Sequence, residues 1–268
     1  SGLSILLDCA NGATYLVAPK VFEELGAVVN TIGSSPDGIN INQNCGSTSP
    51  EFLKDEITKG KYDIGIAFDG DGDRILIITS DGDILDGDDI LYILSQKLLK
   101  GSGVVGTLMT NKALEIYFDE KNINFLRADV GDKYVLQQLV EKNWLLGGEP
   151  SGHIICLDSA PTGDAIIAAL KFLNSIKENN FSIDKTLDNF KKFPQTLINL
   201  KVDNPNTIIL SDQFWSEVTS IETKLGDEGR VLIRPSGTEP LIRIMVESKD
   251  ANISENLCNS LAELALKL

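Results

Sequence analysis

The sequence predicts two α/β blocks in succession, followed by an α+β block. Three observations carry that prediction. Short apolar runs alternate with amphipathic stretches from Ile5 onward, the pattern of layered α/β structure. The alternation starts afresh at Val104. Beyond Pro194 the order changes, and three strand-like runs are flanked by two helical stretches. Boundaries are therefore expected near Gly101 and Pro194, giving segments 1–101, 102–193 and 194–268.

Each element has a local reason. Residues 5–8 form a short apolar strand, 18–25 a helix with Gly26 as its C′ residue, and 27–32 a second strand. Ser49-Pro50-Glu51 starts a helix that runs through Ile57, with Ser49 as N-cap and Pro50 at the first helical position. Residues 64–68 and 75–79 are strands on either side of an acidic loop. Asp81-Gly82 is a turn, and Asp88 or Asp89 caps a helix through Leu99. In the second block, 104–109 and 125–128 read as strands, and 112–121 and 133–141 as helices. Asp164 opens an apolar helix through Ile176. In the third, strands at 196–202, 229–234 and 241–248 accompany helices near 208–219 and 254–268. The two α/β blocks show no convincing sequence repeat.

Composition narrows the function. With 42% hydrophobic and 24% charged residues, the 268-residue chain has an ordinary globular makeup and length enough for sizeable cores. A net charge of −15 argues against a nucleic-acid partner or an anionic membrane, both of which require clustered Lys and Arg. A phosphorylated small molecule needs only a local basic pocket. The four cysteines, Cys9, Cys45, Cys156 and Cys258, are scattered and read as free thiols of a reducing compartment. No apolar run approaches the ~20 residues of a membrane span and no signal peptide is visible, so the cytoplasm is the default. Residues 1–3 run straight into the first strand without an initiator Met, which suggests a fragment or a processed chain.

Asp69-Gly70-Asp71-Gly72-Asp73-Arg74 is the sharpest chemical signal. Three carboxylates at i, i+2 and i+4 repel one another unless a cation neutralises them, and hard oxygen ligands suit Mg²⁺ or Ca²⁺. An EF-hand fails, because its sixth position holds Arg74 and its twelfth Ser80. The plainer alternative is a solvated acidic turn. Arg74 either pairs with these carboxylates or reaches a phosphate.

Two further loops carry donors. Arg234-Pro235-Ser236-Gly237-Thr238-Glu239-Pro240 offers a guanidinium, two hydroxyls and a close backbone N–H, with Arg243 in the next strand. That set suits a phosphate, and it also suits a plain hairpin turn. Gly147-Gly148-Glu149-Pro150-Ser151-Gly152-His153 places a carboxylate and a hydroxyl two residues apart, a pair suited to vicinal sugar hydroxyls. His153, the single histidine, is more often a structural donor than a catalyst in such a setting. Lys133 reads as an exposed lysine at a helix start or a phosphate contact, and Thr162-Gly163-Asp164 as an N-cap without chemistry. No Gly-x-Ser-x-Gly, P-loop or dinucleotide fingerprint is present.

Taken together, and in this order, the three loops resemble those of the α-D-phosphohexomutase family. Asp8-Cys9-Ala10-Asn11-Gly12-Ala13, residues 36–42, Cys45-Gly46-Ser47-Thr48 and residues 130–136 extend the resemblance over the whole chain. They are most similar to the branch that acts on glucosamine phosphates. Departures are Pro150 where Gln or Met is usual, Lys133 where Arg is usual, and Ala160-Pro161-Thr162 in place of a Thr-Thr ending. The family's phosphoserine loop, of the Thr-Ala-Ser-His-Asn-Pro type, does not occur in these residues.

The resemblance implies two α/β/α three-layer domains with mixed sheets, then an α+β domain with an antiparallel sheet. It implies that Asp69, Asp71 and Asp73 hold one Mg²⁺, that Glu149, Ser151 and His153 serve the sugar, and that Lys133 is a further substrate-binding residue. Arg234, Ser236, Gly237, Thr238 and Arg243 would hold the non-reacting phosphate, with Arg74 and His153 as assistants. The implied activity interconverts glucosamine 6-phosphate and 1-phosphate through a phosphoserine and a 1,6-bisphosphate, for amino-sugar nucleotide and cell-wall precursor synthesis. Glucose or glucosamine 1,6-bisphosphate would be the primer, and the chain alone would be inactive. Phosphomannomutase or phosphoglucomutase activity, or a non-catalytic sugar-phosphate-binding role, are the alternatives. The implied partner is a phosphosugar, and a homodimer is left open.

Overall fold

The computed structural model describes every residue except Ser1, Lys61, Asn189, Gly237 and Thr238. Its contacts gather into two compact units, one of residues 1–110 and 114–190, the other of 111–113 and 191–268.

The first unit holds two mixed sheets. β1 (Ser4–Asp8), α1 (Val17–Glu24), β2 (Val28–Ile32), α2 (Glu51–Lys59), β3 (Ile64–Phe68), β4 (Ile75–Thr79) and β5 (Ile84–Leu85) build a sheet ordered β2-β1-β3-β4-β5. β1 pairs parallel with β2 and β3, and β4 pairs antiparallel with β3 and β5. α3 (Gly87–Ser95) then leads to β6 (Gly103–Thr107), α4 (Lys112–Glu120), β7 (Asn124–Ala128), α5 (Asp132–Lys142), β8 (Leu146–Gly148), β9 (Ile154–Cys156) and α6 (Ala165–Ile176). These strands are ordered β7-β6-β8-β9, with β6 parallel to β7 and β8 and β9 antiparallel. The first four strands of one sheet and the four of the other share one order and one set of directions. The repeat that the residues do not show is present in the topology.

Alternation along the strands explains the layers. Leu6, Ala67 and Ile78 face Leu53 and Ile57 of α2, whereas Ile5, Leu7, Ile66 and Ile77 face the opposite way into the largest core. Val105 and Ile155 meet Val135 and Leu139 of α5, whereas Val104, Ile154 and Cys156 join that same large core. Every residue of α3 is buried, as expected of a helix that is apolar on nearly all sides and enclosed between layers. α6 supplies Ala165, Ala168, Ala169 and Phe172 to the core. A short α7 (Ile183–Leu187) follows, with Ser182 as its N-cap.

The second unit is a three-stranded antiparallel sheet ordered β10-β12-β11, from β10 (Gln195–Lys201), β11 (Gly229–Pro235) and β12 (Leu241–Ser248). Ile242, Ile244 and Val246 point to one face, where Phe214, Val218 and Ile221 of α9 (Asp212–Leu225) and Cys258 and Leu261 of α10 (Ala251–Ala265) cover them. This is the α+β arrangement the resemblance implies.

Several local expectations shift. Asp86, not Asp88 or Asp89, caps α3, because Asp86 and Asp89 form a reciprocal capping box, and the helix ends at Ser95 rather than Leu99. Ser49 is not an N-cap: Pro50 fills that place, and the Ser49 hydroxyl donates to Glu51. The helix expected near 208–219 is two, α8 (Pro205–Ile209) and α9, since Ser211 caps anew by accepting from Phe214 N. No helix among the described residues is long and apolar enough to cross a membrane.

Candidate functional site

The acidic loop is shaped by its first carboxylate. Asp69 is buried, and its Oδ1 accepts from the backbone N–H groups of Gly72, Asp73 and Arg74 at 3.2, 3.1 and 3.0 Å. Those bonds curl the chain back between β3 and β4. Gly70 O accepts from Ala13 N at 2.8 Å, and a Cβ on Gly12 would strike that oxygen, which is why glycine stands there. One ligand oxygen each from Asp69, Asp71 and Asp73 lies within 4.8 Å of the others.

Each of these carboxylates has an oxygen to spare. Among the described residues, Asp69 Oδ2 has only Arg74 Nε, 3.9 Å away. Asp71 is exposed. Asp73 spends Oδ2 on the His153 ring at 3.0 Å, while its Oδ1 is buried without a hydrogen bond and lies 3.9 Å from Arg74 Nε. Three anionic oxygen donors, one of them orphaned, fit a hard divalent cation.

A further buried carboxylate orders the neighbouring loops. Asp8, at the end of β1, is fully buried and accepts from Ala10 N at 2.9 Å and Gly46 N at 2.7 Å. Burial pushes its carboxyl above the usual range, against those two bonds. It joins segment 8–13 to segment 45–48, and Asn42 N donates to Ala10 O from the intervening loop. The sequence marks Asp8 only as part of a resemblance, because its partner Gly46 is distant in the chain.

The loop between β8 and β9 is locked to the acidic loop. Arg74 and His153 form an antiparallel bridge, and Ile75 N donates to Gly152 O at 3.1 Å. Gly152 has φ of +91°, and a Cβ there would collide with Ile75 O, so conformation and space both demand glycine. Glu149 is 8% exposed, and its Oε1 accepts from Gly131 N at 2.9 Å. That bond draws residues 131–133, at the start of α5, to the same loop. Ser151 is exposed, as is Lys133, whose ammonium lies over the Tyr134 ring at 4.6 Å. Asp164 caps α6 as expected, accepting from Ile167 N.

In the second unit, Arg234 and Arg243 are register partners on β11 and β12, and Asn199 of β10 flanks Arg243. Ser236 N donates to Leu241 O, and the Ser236 hydroxyl accepts from Glu239 N. Gly237 and Thr238 lie outside the described residues. At the other end of these strands, Glu247 is buried and accepts from Arg230 Nε at 2.7 Å and from Lys112 N at 3.0 Å. All four cysteines are free and buried.

Comparison with known proteins follows this layout. The chain is 47% identical over 276 residues to the phosphoglucosamine mutase of Legionella pneumophila (strain Corby), covering 100% of this chain and 61% of that protein. It is 48% identical over 273 residues to the phosphoglucosamine mutase of Pseudomonas entomophila (strain L48), with the same coverage of 100% and 61%. The chain thus spans about three-fifths of the length of these relatives. A crystal structure of a phosphoglucomutase/phosphomannomutase family protein from Burkholderia thailandensis matches the fold with a TM-score of 0.84 at 24% identity, over 100% of this chain and 60% of that one. Aspergillus fumigatus N-acetylphosphoglucosamine mutase, in complex with GlcNAc-6P and magnesium, matches with a TM-score of 0.77 at 19% identity, over 99% and 66%. The phosphoglucomutase/phosphomannomutase models for α/β/α domain II, α/β/α domain III and the C-terminal domain match residues 1–82, 86–193 and 197–264 in turn, and the chain belongs to that family.

Proposed function

We propose that these residues supply the cation, sugar and phosphate loops of a phosphoglucosamine mutase, interconverting glucosamine 6-phosphate and glucosamine 1-phosphate. The carrying observation is the lock between the acidic loop and the Glu149 loop, which ties the loop of the three carboxylates to the loop we read as the sugar reader. The relatives at 47% and 48% identity favour glucosamine among the phosphohexoses. We read the chain as three domains, 1–101, 102–193 and 194–268, each contributing one of the three loops.

Asp69, Asp71 and Asp73 would hold Mg²⁺, whose charge would offset the negative charge that gathers on a phosphoryl group in transfer. The protein's own part is positioning. Glu149, fixed by Gly131 N, keeps its second oxygen for sugar hydroxyls, and Ser151 adds a hydroxyl beside it. Arg74 supplies a half-exposed guanidinium at the rim of the carboxylate trio, able to meet an anionic oxygen. Arg234, Ser236 and Arg243, with Gly237 and Thr238, would grip a sugar phosphate; bidentate guanidinium contacts suit that geometry. A 1,6-bisphosphate sugar would act as primer, and the cytoplasm is the compartment expected.

The test is an assay of a protein carrying these residues together with the family's phosphoserine domain. Glucosamine 6-phosphate, glucose 6-phosphate and mannose 6-phosphate are compared with Mg²⁺ and bisphosphate primer. Highest kcat/KM on the amino sugar is expected. Preference for glucose or mannose phosphate assigns the chain to phosphoglucomutase or phosphomannomutase instead, and turnover of none of them leaves a binding role only.

A further inference from the structure

The entry to α6 touches the acidic loop once and the strand and loop around His153 once. Ala165 N donates to Gly72 O at 3.0 Å. Gly163 bridges to Ile155 on β9 and sits against the ring of His153, so that a Cβ there would strike Nε2 and Cε1. Glycine is needed here for space, and the sequence alone gives it no role beyond preceding an N-cap.

The ring above Gly163 has a single polar task. His153 is 3% exposed, its Nδ1 lies 3.0 Å from Asp73 Oδ2, and its Nε2 is buried with no hydrogen-bond partner. A lone pair on Nδ1 would face a carboxylate lone pair, and an N–H on Nε2 would find no acceptor. The hydrogen of the ring therefore sits on Nδ1 and is donated to Asp73. That bond fixes one Asp73 oxygen and leaves the other, Oδ1, for a further partner.

We propose that Gly163 and His153 are positioning residues for the cation site. Gly163 sets the depth of the ring, the ring sets the orientation of Asp73, and Asp73 presents Oδ1 to the cation. The inference rests on the Mg²⁺ reading given above. Hydrogen-bond partners of metal ligands usually matter about tenfold or more for affinity, and here the chain of support extends one residue further.

Mn²⁺ binding, followed by electron paramagnetic resonance on the whole chain, separates the cases. His153→Leu should weaken Mn²⁺ by about tenfold. His153→Asn, whose amide nitrogen can stand where Nδ1 stands, should keep affinity within about threefold of wild type, because the donor to Asp73 survives. Gly163→Ala should weaken Mn²⁺ in the wild-type background and have little effect in His153→Asn, where no ring meets the added methyl; contacting residues couple in this way. Circular dichroism of each variant checks that the fold persists, and the double variant keeps the test alive where Gly163→Ala alone unfolds. Equal losses from Gly163→Ala in both backgrounds, or unchanged affinity in His153→Leu, overturn the inference while Asp71→Asn still weakens Mn²⁺. A wild-type chain that binds no Mn²⁺ overturns the metal reading and this inference with it.

Discussion

Arg234 and Arg243 stand directly opposite one another across β11 and β12, and neither has a salt bridge to a described residue. Opposed residues of an antiparallel pair share a face, and like charges in that relation destabilise a sheet. A phosphate between the two guanidiniums would turn the repulsion into attraction. Arg243→Gln should therefore raise the thermal stability of the ligand-free chain slightly, by a few tenths of a kcal/mol after solvent screening. The same change should weaken binding of glucosamine 1,6-bisphosphate by roughly 1–3 kcal/mol, measured by calorimetry. Lower stability with affinity intact would return the pair to an ordinary hairpin.

Asp71 is the exposed member of the carboxylate trio, and the bonds that shape the loop come from Asp69. Asp71→Asn should leave unfolding in EDTA nearly unchanged and weaken Mg²⁺ binding severalfold. Mg²⁺ at about a hundred times its dissociation constant should stabilise the wild-type chain by about 2.7 kcal/mol, seen as a rise in Tm. The variant should need more Mg²⁺ for the same rise.

Asp8 gives a pH dependence of defined sign. Its carboxyl is raised above 3.8 in the folded chain, chiefly by burial. The folded state thus holds this proton more tightly than the unfolded state, and the contribution of Asp8 to stability falls as pH rises through that window. Asp8→Asn removes the titration and one of the two acceptors that serve Ala10 N and Gly46 N. Wild type should be the more stable protein, and its advantage should shrink as pH rises from about 4 through the folded pKa. Chemical denaturation at a series of pH values measures this; a constant or widening gap contradicts it.

The thiols should be inert. Burial pushes Cys9 up to about 12 and Cys156 and Cys258 to about 11, and it raises Cys45 as well. The thiolate is the reactive form, so a disulfide reagent at neutral pH should label the native chain slowly and all four cysteines quickly in denaturant. Fast labelling of the native chain would show that one of these sites opens readily.

The 268 residues alone, given glucosamine 6-phosphate, Mg²⁺ and a bisphosphate primer, should show no mutase turnover, because no phosphoserine loop is among them. In-line placement of donor and acceptor is worth roughly 7–11 kcal/mol of barrier in such chemistry. Turnover near that of a complete family member would place the nucleophile within the chain and overturn the mechanism.

Much of the frame was legible in the residues. β3 and β4 fall where apolar runs flanked by Asp-Gly signals put them, β12 follows the loop of residues 234–240 with its two prolines and one glycine, and Asp164 caps α6 as its position suggests. Asp86 escapes the sequence reading because a capping box is a reciprocal contact, and three acids within four residues, Asp86, Asp88 and Asp89, offer equal local evidence. β5 and β9 are two and three residues long, too short to show a period. In the candidate site the trio Asp69, Asp71 and Asp73 is visible because its members are neighbours in sequence. Asp8 and Gly163 were not, since each acts through a partner that only tertiary folding brings near: Gly46 for one, His153 for the other.

Arg74 and His153 each occupy the position just before the fourth strand of their own sheet, and they bridge to each other. The two returns are therefore not independent appendages on a shared scaffold, free to vary as surface loops usually are. Lengthening either by one residue would slide its partner out of step. Insertions and deletions in these two segments should be tolerated only as compensating pairs, and grafting one loop from a relative should succeed only when the other is transplanted with it.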